Sequence, residues 1–119
     1  MNIRHLIALA VVSVLALHAH ADEFRFKNFP PLAETECRAK GGYWGVNGMP
    51  GSPRPPECNF LTTDAGKICV TSEQCEGYCL LDKERSGWFK KVGRCSTEQK
   101  LIGCHDYLQD GKHFDVCTD

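Results

Sequence analysis

Eight cysteines are the residues of this chain with the most distinctive chemistry. The stretch from Cys69 to Cys95 contains four of them, and three lie within eleven residues. Thiolates bind metals and act as nucleophiles, but these spacings lack the paired Cys-x2-Cys of most structural zinc sites. An even number of cysteines in a chain whose N-terminal residues resemble a secretory signal peptide predicts four disulfides and no free thiol. All eight are therefore predicted to be structural: Cys37, Cys58, Cys69, Cys75, Cys79, Cys95, Cys104 and Cys117.

Spacing alone does not fix how the cysteines pair, because eight of them allow about 105 connectivities. One pair flanks a predicted hairpin whose turn is 109–112, and another closes a loop rich in proline. The remaining two pairs would cross and lock the stretch from Cys69 to Cys95. The pairings that we predict are, in order, Cys104–Cys117, Cys37–Cys58, and Cys69–Cys79 crossed with Cys75–Cys95.

Other patterns that could support catalysis or metal binding are weak. Four potential ligands lie around the predicted hairpin, but solvated turn residues are the simpler interpretation of them. No serine lies in a Gly-x-Ser-x-Gly turn, and no spacing singles out two of the carboxylates as an acid–base pair. We predict no metal site, no cofactor and no enzymatic activity. The four potential ligands are His105, Asp106, Asp110 and His113.

Two segments are candidates for binding. Trp88, Phe89, Lys90 and Lys91 place two aromatics beside two cations in a predicted exposed loop, and aromatics often dominate interface energies. The alternative is that Trp88 or Phe89 folds back to cover a small core. Arg54, in a loop containing several prolines, could enter the specificity pocket of a protease. The proline that follows Arg54 opposes this role, and a plain spacer loop is the alternative.

The N-terminus predicts export. Residues 1–21 combine Arg4, the apolar run 6–17 and Ala19-His20-Ala21, which is typical of a cleaved secretory signal peptide. The run of 12 apolar-type residues is shorter than the roughly 20 that a transmembrane helix needs. Residues 22–119 then form one domain with 13 basic and 15 acidic residues. This balance does not favour nucleic acid or an anionic membrane surface as the main partner.

The predicted fold is a small disulfide-rich domain of short β-strands and loops, with one or two helical turns. A strand is expected within 22–31, where Phe24 and Phe26 alternate with basic residues. Helical turns are expected within 32–40, and Tyr43 and Trp44 are expected to pack on the core. Further helical structure is expected at 72–76, and strands at 79–81 and 92–95.

The cysteines and the residues around them resemble those of a group of small exported, cysteine-rich proteobacterial proteins without an assigned activity. The resemblance covers about residues 37–119 and implies a periplasmic or secreted location. It implies no catalytic or ligand residues. The matching segments are Cys37, Gly41-Gly42-Tyr43-Trp44-Gly45, Cys58, Asp64-Ala65-Gly66-Lys67, Cys69, Gln74-Cys75-Glu76-Gly77, Cys79-Leu80, Gly93-Arg94-Cys95-Ser96, Gly103-Cys104 and Cys117.

Together these features predict a non-enzymatic binding domain of the bacterial envelope or periplasm. Its partner would be an unknown protein or envelope component, and not nucleic acid. We expect a monomer with no membrane span after the signal peptide is removed. The alternative is an inhibitor of a secreted hydrolase, such as a lysozyme or protease, that acts through a disulfide-stapled loop.

Overall fold

A computed structural model describes residues 22–48, 51 and 53–118, so the predicted signal peptide lies outside the described residues. The described strands form two antiparallel sheets, which confirms the predicted fold class. The smaller sheet pairs β1 (Tyr43–Gly45) with β2 (Glu57–Asn59). The larger has the order β3-β5-β4-β6-β7, with β3 (Ile68–Cys69), β4 (Cys79–Leu81), β5 (Gly93–Cys95), β6 (Gly103–Gln109) and β7 (Lys112–Thr118).

Helical structure occurs at both places where the sequence predicts it. Helix α1 (Glu34–Ala39) ends before Gly41, whose φ of 85° is a left-handed conformation that glycine adopts without strain. A disulfide between Cys37 and Cys58 ties the buried side of α1 to β2. A single 3-10 turn, Ser72–Gln74, lies in the larger sheet's first long connection.

The hairpin of β6 and β7 confirms the predicted turn and the disulfide across it. Asp110 and Gly111 are its two central residues, with φ of 52° and 74°. Positive φ at both central positions is the type I′ geometry, whose twist matches that of the flanking strands. Cys104 and Cys117 face each other in the register and form a disulfide.

The core is built around two crossed disulfides. Cys69–Cys79 and Cys75–Cys95 pack with Leu108, which is 0% exposed. All four predicted pairings are therefore confirmed. Packing at this point is tight, because a Cβ on Gly93 would lie 2.5 Å from the Sγ of Cys79.

The predicted strand within 22–31 is wrong. This segment has no regular secondary structure, and side chains rather than a neighbouring strand bind several of its backbone groups. Arg25 N–H donates to Gln109 Oε1 (2.7 Å), Gln109 Nε2 donates to the carbonyl of Glu23 (2.8 Å), and Lys27 N–H donates to the Tyr78 hydroxyl (2.9 Å). An unpaired backbone needs no alternation of faces, so the pattern of apolar residues there does not report a strand.

Aromatic residues near the N-terminus and in β1 differ in burial, and one of them differs from its prediction. Phe24 packs on the buried Tyr107, with ring centroids 4.6 Å apart, whereas Phe26 is 52% exposed. In β1, Trp44 is half-buried while Tyr43 is exposed, so the expectation of core packing is wrong for Tyr43. Successive strand residues point to opposite faces, so β1 cannot bury both of them against one layer.

Candidate functional site

The connection between β4 and β5, residues 82–92, is the element that carries the strongest candidate site. Its base is closed by a backbone hydrogen bond from Asp82 N–H to the carbonyl of Val92 (2.9 Å). Arg94 Nε donates to the Asp82 carboxylate at 2.9 Å and is the main cause of a pKa below the ordinary value for that carboxyl group. The base is thus held by a charged pair at neutral pH.

Ser86 closes the loop a second time, above the base. Its hydroxyl donates to the carbonyl of Val92 (2.9 Å) and accepts from Val92 N–H (3.0 Å). Ser86 N–H also donates to the carbonyl of Asp82 (3.0 Å). One side chain therefore takes the place of a strand residue and pairs with both polar backbone groups of Val92. Sequence reasoning missed this role, since a lone serine in a polar segment gives no signal of it.

The tip of the loop is a tight turn with two aromatic residues at its centre. Gly87 N–H donates to the carbonyl of Lys90 (2.8 Å), which leaves Trp88 and Phe89 as the two residues that reverse the chain. Trp88 is 89% exposed and Phe89 is 97% exposed. The next most exposed large hydrophobic residue in the described part of the chain is Leu61, at 66%. The alternative in which Trp88 or Phe89 covers the core is therefore wrong.

Positive charge accompanies these aromatics. Lys90 is exposed and Lys91 half-buried, and neither makes an ion pair with another described residue. At the base, Lys83 pairs with Asp106 of β6 (3.0 Å). Residues 82–94 contain five basic side chains and two acidic ones. The remainder of 22–119 contains eight basic and 13 acidic residues, so the balanced net charge conceals a basic loop on an acidic domain.

Arg54, the other predicted binding residue, lies apart from this loop. Its Nη2 donates to the carboxylate of Glu57 at 3.4 Å, and its side chain is 30% exposed. It contributes to a cleft of about 300 Å³ that also has Lys27 and Lys100 in its wall. Arg54 is therefore folded against its own domain, a poor arrangement for a side chain that must enter another protein's pocket.

The histidines and aspartates of the β6–β7 hairpin do not form one cluster. His113 Nε2 contacts Asp106 Oδ1 at 2.6 Å, whereas His105 Nε2 contacts the carbonyl of Ile102 at 2.9 Å. Asp110, at the turn, pairs with Arg25 (3.0 Å). Among the described residues, the groups close enough to share a metal ion are centred on cysteines that are already in disulfides.

Comparison with protein-family models, with curated proteins and with solved structures finds no match to this chain. Within the described ranges, no helix has the length and apolar character needed to cross a bilayer. Four disulfides in a domain of this size are typical of proteins in an oxidising, extracellular-type environment.

Proposed function

We propose that this protein is a non-enzymatic binding domain of the bacterial envelope or periplasm, and that it binds through the tip of the β4–β5 loop. The tip consists of Trp88, Phe89, Lys90 and Lys91. The observation that carries the proposal is the exposure of Trp88 (89%) and Phe89 (97%), side by side at the end of a loop that the fold holds closed. Neighbouring large apolar side chains that are exposed to solvent often mark an interaction site.

The free energy gained by burying the two aromatics supports a binding role for the tip, but it is not enough for association by itself. Covering two such side chains would remove on the order of 300–400 Å² from water, about 8–10 kcal/mol at 25 cal/mol per Å². Association costs roughly 4–15 kcal/mol in lost freedom, so this gain is largely offset. The surplus must come from elsewhere, and the lysines beside the aromatics are placed to supply it.

The way in which the loop is closed lowers the cost of binding. Three backbone hydrogen bonds, and two further hydrogen bonds between the Ser86 hydroxyl and the Val92 backbone, hold the turn in the conformation that presents the aromatics. A loop that is already ordered loses little conformational entropy when it binds. The pair of Asp82 with Arg94 and the disulfide of Cys95, both at the foot of the loop, extend this support into the core.

Export is supported by the disulfides and by the predicted signal peptide, residues 1–21. The resemblance to exported proteobacterial proteins supports the bacterial envelope or periplasm as the location. The hydrolase inhibitor that the sequence also suggests would use the same tip, because Arg54 is folded against Glu57.

The test compares capture of partners by three proteins: the native chain, the double variant Trp88→Ala/Phe89→Ala, and the control Leu61→Ala. Leu61 is also an exposed apolar residue but lies outside the loop. Each protein is immobilised and exposed to periplasmic and membrane fractions. We expect the native chain and the control to capture the same partner and the double variant to lose it.

Equal capture by all three proteins would refute the role of the tip. The same three proteins are then assayed against a panel of lysozymes and proteases. Inhibition that depends on Trp88 and Phe89 would identify the partner as a hydrolase, which is the alternative function.

A further inference from the structure

We infer that the partner of this loop tip is a lipid surface rich in anionic phospholipids, into which Trp88 and Phe89 insert at the level of the headgroups. Lys90 and Lys91 would then contact lipid phosphates. This inference rests on the proposed function and names the ligand of the same site.

Shape is the first reason to favour lipid over protein. Trp88 and Phe89 are the central residues of a turn and are exposed on nearly all sides, so the tip is convex. A protein partner would have to provide a pocket of matching shape with a rim that excludes water. A bilayer interface closes around any convex apolar group, and tryptophan is enriched at that depth.

The distribution of charge is the second reason to favour a lipid surface over a protein partner. Residues 82–94 have five basic and two acidic side chains, while the other residues of 22–119 have eight basic and 13 acidic. An anionic surface attracts the loop and repels the rest of the domain, so it orients the tip toward the membrane. The lysines follow the aromatics directly in the chain, which places their amines where the headgroup phosphates would lie.

Backbone hydrogen bonding limits how deeply the tip can enter the bilayer. Gly87 N–H and the carbonyl of Lys90 satisfy each other, but Trp88 and Phe89 make no backbone hydrogen bond to another described residue. Unpaired backbone groups are costly in hydrocarbon and are hydrated at headgroup level. The turn therefore fits a shallow position, with its backbone and the two rings at headgroup level.

The test uses vesicles of phosphatidylcholine, with and without roughly 30% phosphatidylglycerol, to vary surface charge. The probe is Trp88 fluorescence in the variant Trp44→Phe, which leaves Trp88 as the single tryptophan. We expect anionic vesicles to shift Trp88 emission to the blue, protect it from acrylamide and sediment the protein. Neutral vesicles should bind far more weakly, and raising the salt concentration should release the protein.

Variants separate the contribution of the aromatic side chains to vesicle binding from that of the lysine charges. Trp88→Ala/Phe89→Ala, assayed by sedimentation, should abolish vesicle binding. Lys90→Gln/Lys91→Gln should weaken binding to anionic vesicles by about fivefold per lysine, roughly 25-fold in total. The controls Leu61→Ala and Lys40→Gln, which change an exposed apolar residue and an exposed lysine elsewhere, should bind like the native chain.

Absence of binding to anionic vesicles, or binding that survives loss of both aromatics, would overturn the lipid inference. Capture of a protein that depends on Trp88 and Phe89, without vesicle binding, would overturn it while leaving the proposed function in place. If neither vesicles nor any partner depends on the tip, both proposals fail.

Discussion

Replacing both aromatics at the loop tip should leave the domain almost as stable as before. Trp88 is 89% exposed and Phe89 is 97% exposed, so folding buries only about a tenth of the first ring and very little of the second. For side chains of roughly 200–250 Å², this amounts to about 35 Å², or about 1 kcal/mol at 25 cal/mol per Å². By contrast, Leu108→Ala removes a fully buried side chain that packs in the core with the crossed disulfides, and it should cost about 2–5 kcal/mol.

The assay is guanidinium unfolding without reductant, followed by far-ultraviolet circular dichroism, of the native chain, Trp88→Ala/Phe89→Ala and Leu108→Ala. The midpoint of the double variant should fall close to that of the native chain, with an unchanged slope. Leu108→Ala should unfold at clearly lower denaturant. A loss above about 2 kcal/mol in the double variant would mean that the rings pack on the core, and would refute the assignment of the tip to binding.

Three further predictions concern the parts that hold the loop and the core. Asp82→Asn removes the charge that Arg94 pairs with, so amide exchange across 82–92 should accelerate. The pairing lowers the pKa of Asp82. The native protein should therefore lose this ion pair only as pH falls through that pKa, below the ordinary carboxyl range. Burial, assisted by the neighbouring Tyr78, raises the pKa of Tyr107 to about 12. The contribution of Tyr107 to stability is therefore complete below about pH 10 and declines as pH rises toward 12. In Tyr107→Phe, the denaturant midpoint should fall less over this pH range than it does in the native chain. Replacing Cys104 and Cys117 together should lower the free energy of unfolding by less than the roughly 3 kcal/mol expected for a loop of this length, because the hairpin register already holds these residues together. Thermal unfolding would measure the loss of stability. A larger loss would show that the disulfide defines the hairpin.

Much of the fold follows from local chemistry and was predictable from the sequence. The turn at Asp110-Gly111 requires positive φ twice, which aspartate and glycine tolerate, and the cysteines that flank it must then face each other. The crossed pairing of Cys69–Cys79 and Cys75–Cys95 was also predicted correctly. Spacing does not dictate this pairing, because four cysteines allow three connectivities.

The prediction failed where long-range contacts between side chains and backbone decide the structure. The segment 22–31 has the alternation of a strand, yet Gln109 and Tyr78, distant in sequence, bind its backbone and leave no sheet partner. Nothing in the local pattern identifies such partners. Fold class was thus accessible from sequence, while the conformation of this segment was not.

The candidate site was located by sequence but its orientation was not. The adjacent aromatics and lysines of 88–91 stand out by type, but the same four residues fit either an exposed tip or a cover for the core. The exposure of Trp88 and Phe89 decides between them, and the two hydrogen bonds between the Ser86 hydroxyl and Val92 close the loop below the aromatics. The separation of charge between loop and domain also appears only when the loop's boundaries are known.

The most direct test of the central claim is the emission of Trp88, measured in Trp44→Phe before and after addition of the membrane and periplasmic fractions. The free protein should emit at the long wavelength of a solvated indole and be fully quenched by acrylamide, as an 89% exposed ring requires. On adding the fraction that contains the partner, the emission should shift to the blue and become protected from quenching. Blue-shifted, protected emission in the free protein, or emission that no fraction changes, would contradict the proposal that the tip is a binding site.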